Sequence, residues 1–142
     1  QPLAAGTFEE PAPQWGVERC YVIRALDAEQ GLPIESEASP QACVTPVDTF
    51  APKTPTGLNV VAAEGAMNLI WDPNDEPDLA GYVVLRAIAP ATELAPITPA
   101  PLDAATFKDT VPPGSRVSYA VLSMDKAGNA SAPSARVEEV AR

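Results

Sequence analysis

Apolar residues in this chain fall into short runs of four to eight positions, closed off by clusters of proline and glycine. The runs are Arg19 to Leu26, Ala42 to Thr45, Gly57 to Ala62, Met67 to Trp71, Gly81 to Ala87, Thr106 to Asp109, Val117 to Met124 and Ala135 to Val140. They are rich in Val, Ile, Leu, Tyr and Trp, and no amphipathic stretch reaches helical length, so the pattern predicts an all-β fold. Several runs alternate. In Arg116-Val-Ser-Tyr-Ala-Val121, residues 117, 119 and 121 point one way and the smaller or polar 116, 118 and 120 the other, which predicts one buried and one wetter face.

The segments between the runs read as turns. Val111-Pro-Pro-Gly114 combines two fixed φ angles with a residue free to take positive φ, a tight entry into the next strand. Asp125-Lys-Ala-Gly-Asn129 reads as a hairpin tip with Gly128 and Asn129 able to be left-handed. Ala89 to Pro101 carries prolines at 90, 96, 99 and 101 and is expected to cross the outside of a sheet as an edge. Asp48 to Pro55 reads as a stiff connector. With 17 prolines and 8 glycines among 142 residues, long helices are excluded.

Charge and composition narrow the function. The net charge is −10, which repels phosphate backbones and anionic lipid headgroups, so nucleic-acid binding is not expected. No window approaches eighteen consecutive apolar residues, so no direct membrane insertion by a helix is expected. The start, Gln1-Pro-Leu-Ala-Ala-Gly6, has no charged and apolar regions of an export signal, so a signal or lipid anchor would lie upstream. The chain has no histidine, which removes Ser-His-Asp and Cys-His machinery and histidine-ligated metals. Its two cysteines, Cys20 and Cys43, fit neither a zinc site nor a CxxC motif and read as a structural disulfide in an oxidising compartment.

An internal repeat sets the layout. Cys20-Tyr-Val-Ile-Arg-Ala-Leu-Asp27 and Ser118-Tyr-Ala-Val-Leu-Ser-Met-Asp125 both place Tyr second and Asp eighth. Phe8-Glu-Glu-Pro and Phe107-Lys-Asp-Thr precede them at similar distances, and Glu35-Ser-Glu-Ala-Ser-Pro40 echoes Asn129-Ala-Ser-Ala-Pro-Ser134. A module of roughly 90 residues is thus repeated, with the front half of the first copy missing.

The second copy resembles a fibronectin type III domain. Pro55-Thr-Gly-Leu-Asn-Val60 is similar to that family's first strand, Met67-Asn-Leu-Ile-Trp71 to the second, Asp78-Leu-Ala-Gly-Tyr-Val-Val-Leu-Arg86 to the third and Phe107-Lys-Asp109 to the fifth. Val111-Pro-Pro-Gly-Ser-Arg-Val-Ser-Tyr119 resembles the tyrosine corner, in which the Tyr hydroxyl returns to backbone a few residues upstream, with Val111 where the family usually has Leu. The resemblance covers about residues 53 to 141 and implies an immunoglobulin-like antiparallel β-sandwich with Trp71, Tyr82 and Tyr119 in its core. The domains expected are a partial module over 1–50, comprising the last three strands, and a complete one over 51–142.

In the partial module, Arg19 to Leu26 would be strand six and Gln41 to Thr45 strand seven, which lets Cys20 and Cys43 lie opposite each other in an antiparallel pair. Closing that loop would contribute about 3 kcal/mol. Tyr21, Ile23 and Ala25 would share one face with nothing to cover it, and each large apolar side chain left wet forfeits roughly 1.5–3 kcal/mol. Residues 1–46 are therefore expected to be completed by an upstream segment, a second chain or a neighbouring subunit, with Trp15, Tyr21 and Ile23 as the candidate interaction surface.

Other candidate chemistry is thin. Asp72-Pro-Asn-Asp-Glu-Pro-Asp78 invites calcium, but an EF-hand counted from Asp72 needs Gly and Glu where Pro77 and Val83 stand, so a turn-forming acidic loop is expected. The Arg-Gly-Asp tripeptide is absent, and the serines have no base. Glu9-Glu10 and Glu138-Glu139 are chain neighbours that point to opposite faces and cannot act as an acid/base pair. No catalytic residue, metal or cofactor is expected, nor a small-molecule ligand. The wording of the repeats resembles exported bacterial proteins, which implies an extracellular, periplasmic or cell-surface structural module. Such a module would be a rigid spacer or accessory subunit of a cell-envelope assembly. The alternative is a spacer region of a secreted polysaccharide-degrading enzyme.

Overall fold

The computed structural model describes residues 6–29 and 32–142, with only the backbone of residues 28, 29, 32 and 33. The chain divides into two compact units, Gln1–Asp48 and Thr49–Arg142. Among the described residues every regular element is a strand.

In the first unit, β1 (Arg19–Tyr21) pairs antiparallel with β4 (Ala42–Val44), and β2 (Leu26–Glu29) with β3 (Leu32–Glu35). Cys20 faces Cys43 in the β1–β4 register, their Cα atoms are 4.0 Å apart, and the two form a disulfide. The strand expected over Arg19 to Leu26 is thus interrupted after Tyr21, and a second ladder appears where a loop was expected after Leu26. Serine side chains bridge the interruption, as described below. The Gln30-Gly31 link between β2 and β3 lies outside the described residues.

The second unit has two layers. One is a three-stranded sheet, β5 (Asn59–Ala63), β6 (Ala66–Ile70) and β9 (Thr106–Asp109), in that order. The other is a four-stranded sheet in the order β11 (Val137–Val140), β10 (Arg116–Asp125), β7 (Leu79–Ile88), β8 (Ala95–Pro96). The short edge strand β8 comes from the proline-rich segment, where rings lacking N–H groups suit an edge. All named pairings are antiparallel. Alternation chooses the inner faces: Val60 and Ala62 of β5, Met67 and Leu69 of β6, Tyr82 and Val84 of β7, and Val117, Tyr119 and Val121 of β10 all join one buried cluster with Trp71. The Trp71 and Tyr82 rings meet edge-on at 5.2 Å, a favourable aromatic geometry.

Two details depart from the sequence pattern. Ser118 and Ala120, placed on the wetter face, are buried as well. The Arg136 side chain lies against Ser118, its guanidinium donating to the Thr92 carbonyl at 2.8 Å and to Ser118 Oγ at 2.7 Å. At the tip of β10, Gly128 takes φ 92° but Asn129 is not left-handed, because its backbone N–H donates to Asp125 Oδ1 at 2.8 Å. Gly81 is required where it stands. Its φ is +142°, and a Cβ there would lie 2.5 Å from the Leu102 carbonyl oxygen, which hydrogen-bonds the Tyr82 N–H.

The tyrosine corner also differs in its acceptor. Tyr119 O–H donates to Asp109 Oδ2 at 2.7 Å rather than to backbone, and Arg86 Nη1 donates to both oxygens of the same carboxylate at 2.9 Å. A buried carboxylate needs such partners, since burial without them costs several kcal/mol. Burial first, then donation to Asp109, raises the Tyr119 pKa well above its usual value.

Two outcomes follow for this trio. Arg86→Met, which strands the Asp109 charge, should destabilise the second unit by about 3 kcal/mol in urea titration, and Tyr119→Phe by about 1–2 kcal/mol. Because the folded-state pKa of Tyr119 is raised, its contribution is complete below about pH 10, the unfolded value, and is lost as pH climbs beyond it. The melting temperature should therefore fall above pH ~10, and Tyr119→Phe should flatten that fall.

Candidate interaction surface

The two hairpins match residue by residue in their hydrogen bonds. In the second unit Val121 N–H donates to Ser134 Oγ at 3.0 Å while Ser134 N–H donates back to the Val121 carbonyl at 2.8 Å. Ser123 and Ser131 repeat the exchange, at 3.0 and 2.9 Å. In the first unit Ile23 and Ser39 make the same pair of bonds at 3.0 and 2.9 Å, and Ala25 and Ser36 at 2.9 and 3.0 Å. Each serine hydroxyl then donates to the carbonyl of the following residue, Glu37, Pro40, Ala132 or Ala135. A side-chain oxygen here takes the place of a ladder carbonyl, so the strands stay paired where the backbone register is broken. The equivalence also corrects the sequence alignment of the two copies by one residue: Ser36 answers to Ser131 and Ser39 to Ser134. The Ser-x-x-Ser spacing common to both is the signal that identifies it.

The likeness extends to both ends of the hairpin. Gly16, at φ 74°, donates its N–H to the Pro46 carbonyl at 2.8 Å, as Gly114, at φ 76°, does to the Ala141 carbonyl at 2.9 Å. Tyr21 O–H donates to the Glu10 carboxylate, as Tyr119 does to Asp109, and Phe8 packs near Tyr21 with ring centroids 6.4 Å apart. Donation to Glu10 raises the Tyr21 pKa. The cation differs: Asp109 draws Arg86 from β7, whereas Glu10 lies 3.9 Å from Arg19 of its own hairpin, at the place that Val117 occupies in the second unit.

Identical bonding meets opposite environments. Tyr119 and Val121 are 0% exposed, while their counterparts Tyr21 and Ile23 are half-buried and 74% exposed. Val22 is 54% exposed against 1% for Ala120. No described residue of Gln1–Asp48 is buried. Trp15, on the turn that Gly16 closes, is half-exposed. Trp15, Tyr21 and Ile23 therefore all lie on or near accessible surface, whereas Trp71, Tyr82 and Tyr119 are interior.

The acidic loop 72–78 is bound up with the connector. Lys53 Nζ donates to Asp75 Oδ1 at 2.9 Å, Lys53 N–H to Glu76 Oε1 at 2.8 Å, Thr56 Oγ1 to Asp72 Oδ2 at 3.0 Å, and Asn74 N–H to the Tyr82 hydroxyl at 2.6 Å. The Lys53 ammonium holds Asp75 below its usual range and is itself raised by Asp75. Glu76 is lowered chiefly by the Lys53 backbone N–H. These carboxylates thus serve as acceptors that fasten the connector to the domain. The sequence run of acids gave no hint of that, because Lys53 lies some twenty residues away.

Comparison with known proteins agrees with this geometry. No protein-family model matches the chain. The chain is 33% identical over 123 residues to exoglucanase B of Cellulomonas fimi, a match covering 82% of this chain and 11% of that protein. It thus spans about a tenth of that relative's length. Among solved structures, a fibronectin-type-III-like protein from Clostridium thermocellum superposes with a TM-score of 0.54 at 26% identity, over 63% of this chain and 92% of that one. The FN1–FN3 domains of chicken contactin superpose at 0.57 and 16% identity, over 87% of this chain and 41% of theirs. The two-layer architecture, the tyrosine corner and these likenesses together show a fibronectin type III fold.

Proposed function

We propose that this chain is a non-catalytic extracellular spacer from a polysaccharide-degrading protein, and that its first unit is the closing half of a further fibronectin type III module. The observation that carries the reading is the extent of the likeness to exoglucanase B. At 82% of the chain it exceeds the second unit, Thr49–Arg142, and so must include part of the first. A disulfide suits an exported protein, and the charged side chains named above are taken up in structural pairs rather than gathered around a cleft. The cell-envelope accessory role is the second reading, and the exoglucanase likeness is what sets it behind the first.

The uncovered hairpin face supports the second half of the proposal. In the complete domain, Tyr119 and Val121 are sealed from water in a cluster with Val60, Met67, Leu69 and Trp71, contributed from the front half of the module. The same bonding framework in the first unit leaves Tyr21 and Ile23 to be sealed by an equivalent front half. Burying such side chains gains roughly 1.5–3 kcal/mol each, which favours completion.

Two measurements test the two parts separately. The chain alone should release no reducing sugar from soluble β-glucan, and release would overturn the spacer role. In the 142-residue chain Val121→Glu should cost more than 3 kcal/mol while Ile23→Glu stays within about 0.5 kcal/mol. In the polypeptide extended upstream by its natural neighbouring residues, Ile23→Glu should become as damaging as Val121→Glu. Continued neutrality there would sink completion and leave the spacer role standing.

A further inference from the structure

The bond between Cys20 and Cys43 holds the first unit under unusual conditions. The β1–β4 ladder joins three residue pairs, both cysteines are exposed, and no described residue around them is buried. At the equivalent place in the second unit Ser118 meets Glu138 through a 3.2 Å hydrogen bond, within a domain that has its own core. Two polar side chains attend the sulfurs. Gln41 Nε2 donates to Cys43 Sγ at 3.5 Å, and a Glu18 carboxylate oxygen lies within 4.8 Å of both sulfurs.

We infer that this disulfide is a reducible latch with a preferred direction of opening, and that Glu18 selects against anionic thiols. Reduction begins when a thiolate forms a bond to one sulfur and expels the other as a thiolate. The Gln41 amide stabilises negative charge on Cys43, so Cys43 is the better leaving group and Cys20 takes the mixed disulfide with the incoming thiol. A second thiolate from the same pool then attacks the small-molecule sulfur, releases Cys20 as a thiolate and leaves as a small-molecule disulfide. Two thiols are oxidised, the bridge gains two electrons, and the two cysteine thiolates can take protons from water. Strand alternation puts Cys20 on the face opposite Tyr21, so the sulfurs stay reachable when the Tyr21 face is covered. An exposed like charge about 5 Å from the reacting atom slows an incoming anion by roughly threefold at low salt, and less as salt rises.

The test uses the 142-residue chain and two probes, reduced glutathione, which is anionic, and cysteamine, which carries an ammonium. After brief exposure, rapid alkylation and peptide mass spectrometry, the glutathione adduct should sit on Cys20 at least threefold more than on Cys43, and Gln41→Ala should erase the preference. Glu18→Gln should speed glutathione about threefold and slow cysteamine. After full reduction, amide exchange at Ile23 and Ala25 should accelerate at least tenfold while Val121 and Ser123 stay unchanged. Equal partition or a Cys43 adduct overturns the direction. A change of the same sign for both thiols overturns the charge selection, and continued protection of Ile23 overturns the latch.

Discussion

A sheet with one apolar face has to bury it, and that requirement organises the whole chain. In the second unit the inner residues of β7 and β10 meet those of β5 and β6, and Trp71, Tyr82 and Tyr119 fill the space between the layers. The hydrogen-bonded ladders cannot do this alone, because a two-stranded hairpin without a covering layer is marginal in water. In the first unit no covering layer is found among the described residues. The unit keeps the ladder, the corner turn and the serine crossings, yet no described residue in it is buried. The disulfide stands in place of a core there, constraining the open chain instead of burying surface.

The tyrosine-bound carboxylates show the same dependence in electrostatic form. Asp109 is tolerable in the interior because Arg86 supplies a forked positive partner and Tyr119 a further donor. Arg86 comes from β7, a strand that has no counterpart among the described residues of the first unit. There Glu10 finds its cation within the hairpin, in Arg19, while keeping the tyrosine. The two copies reach a similar tyrosine–carboxylate pairing by different routes, one of which needs a second layer and one of which does not.

Much of the architecture was legible because strand periodicity, turn residues and the repeat pointed the same way. Val117, Tyr119 and Val121 read as an inner face and are fully buried. The cysteines read as an opposed pair and are one. The misreadings share a cause, which is that they concern side chains acting over distances the local pattern does not encode. Ser118 looked wet because nothing nearby announces that Arg136 bonds its hydroxyl. Tyr119 was expected to return to backbone, and finds Asp109 ten residues back. The run from Arg19 to Leu26 looked like one strand, as its counterpart β10 is. With the same serine crossings, β10 is kept continuous by pairing with β7, and no such pairing is found among the described residues of the first unit. The acidic loop read as turn-forming, and what its pattern left out is the fastening to Lys53, which is remote in sequence.

The serine crossings have a consequence for how such hairpins vary. Because Ser36 and Ser39, like Ser131 and Ser134, fix the strands at two points below the tip, whatever lies beyond is released from the register of the sheet. The segment between Ala25 and Ser36 is three residues longer than that between Ser123 and Ser131, and it forms its own small ladder, β2 with β3, without disturbing the clamp beneath. A fold built this way can lengthen or rewrite its fingertips freely, since the knuckle that holds them is made of hydroxyl groups rather than of the strand ladder itself.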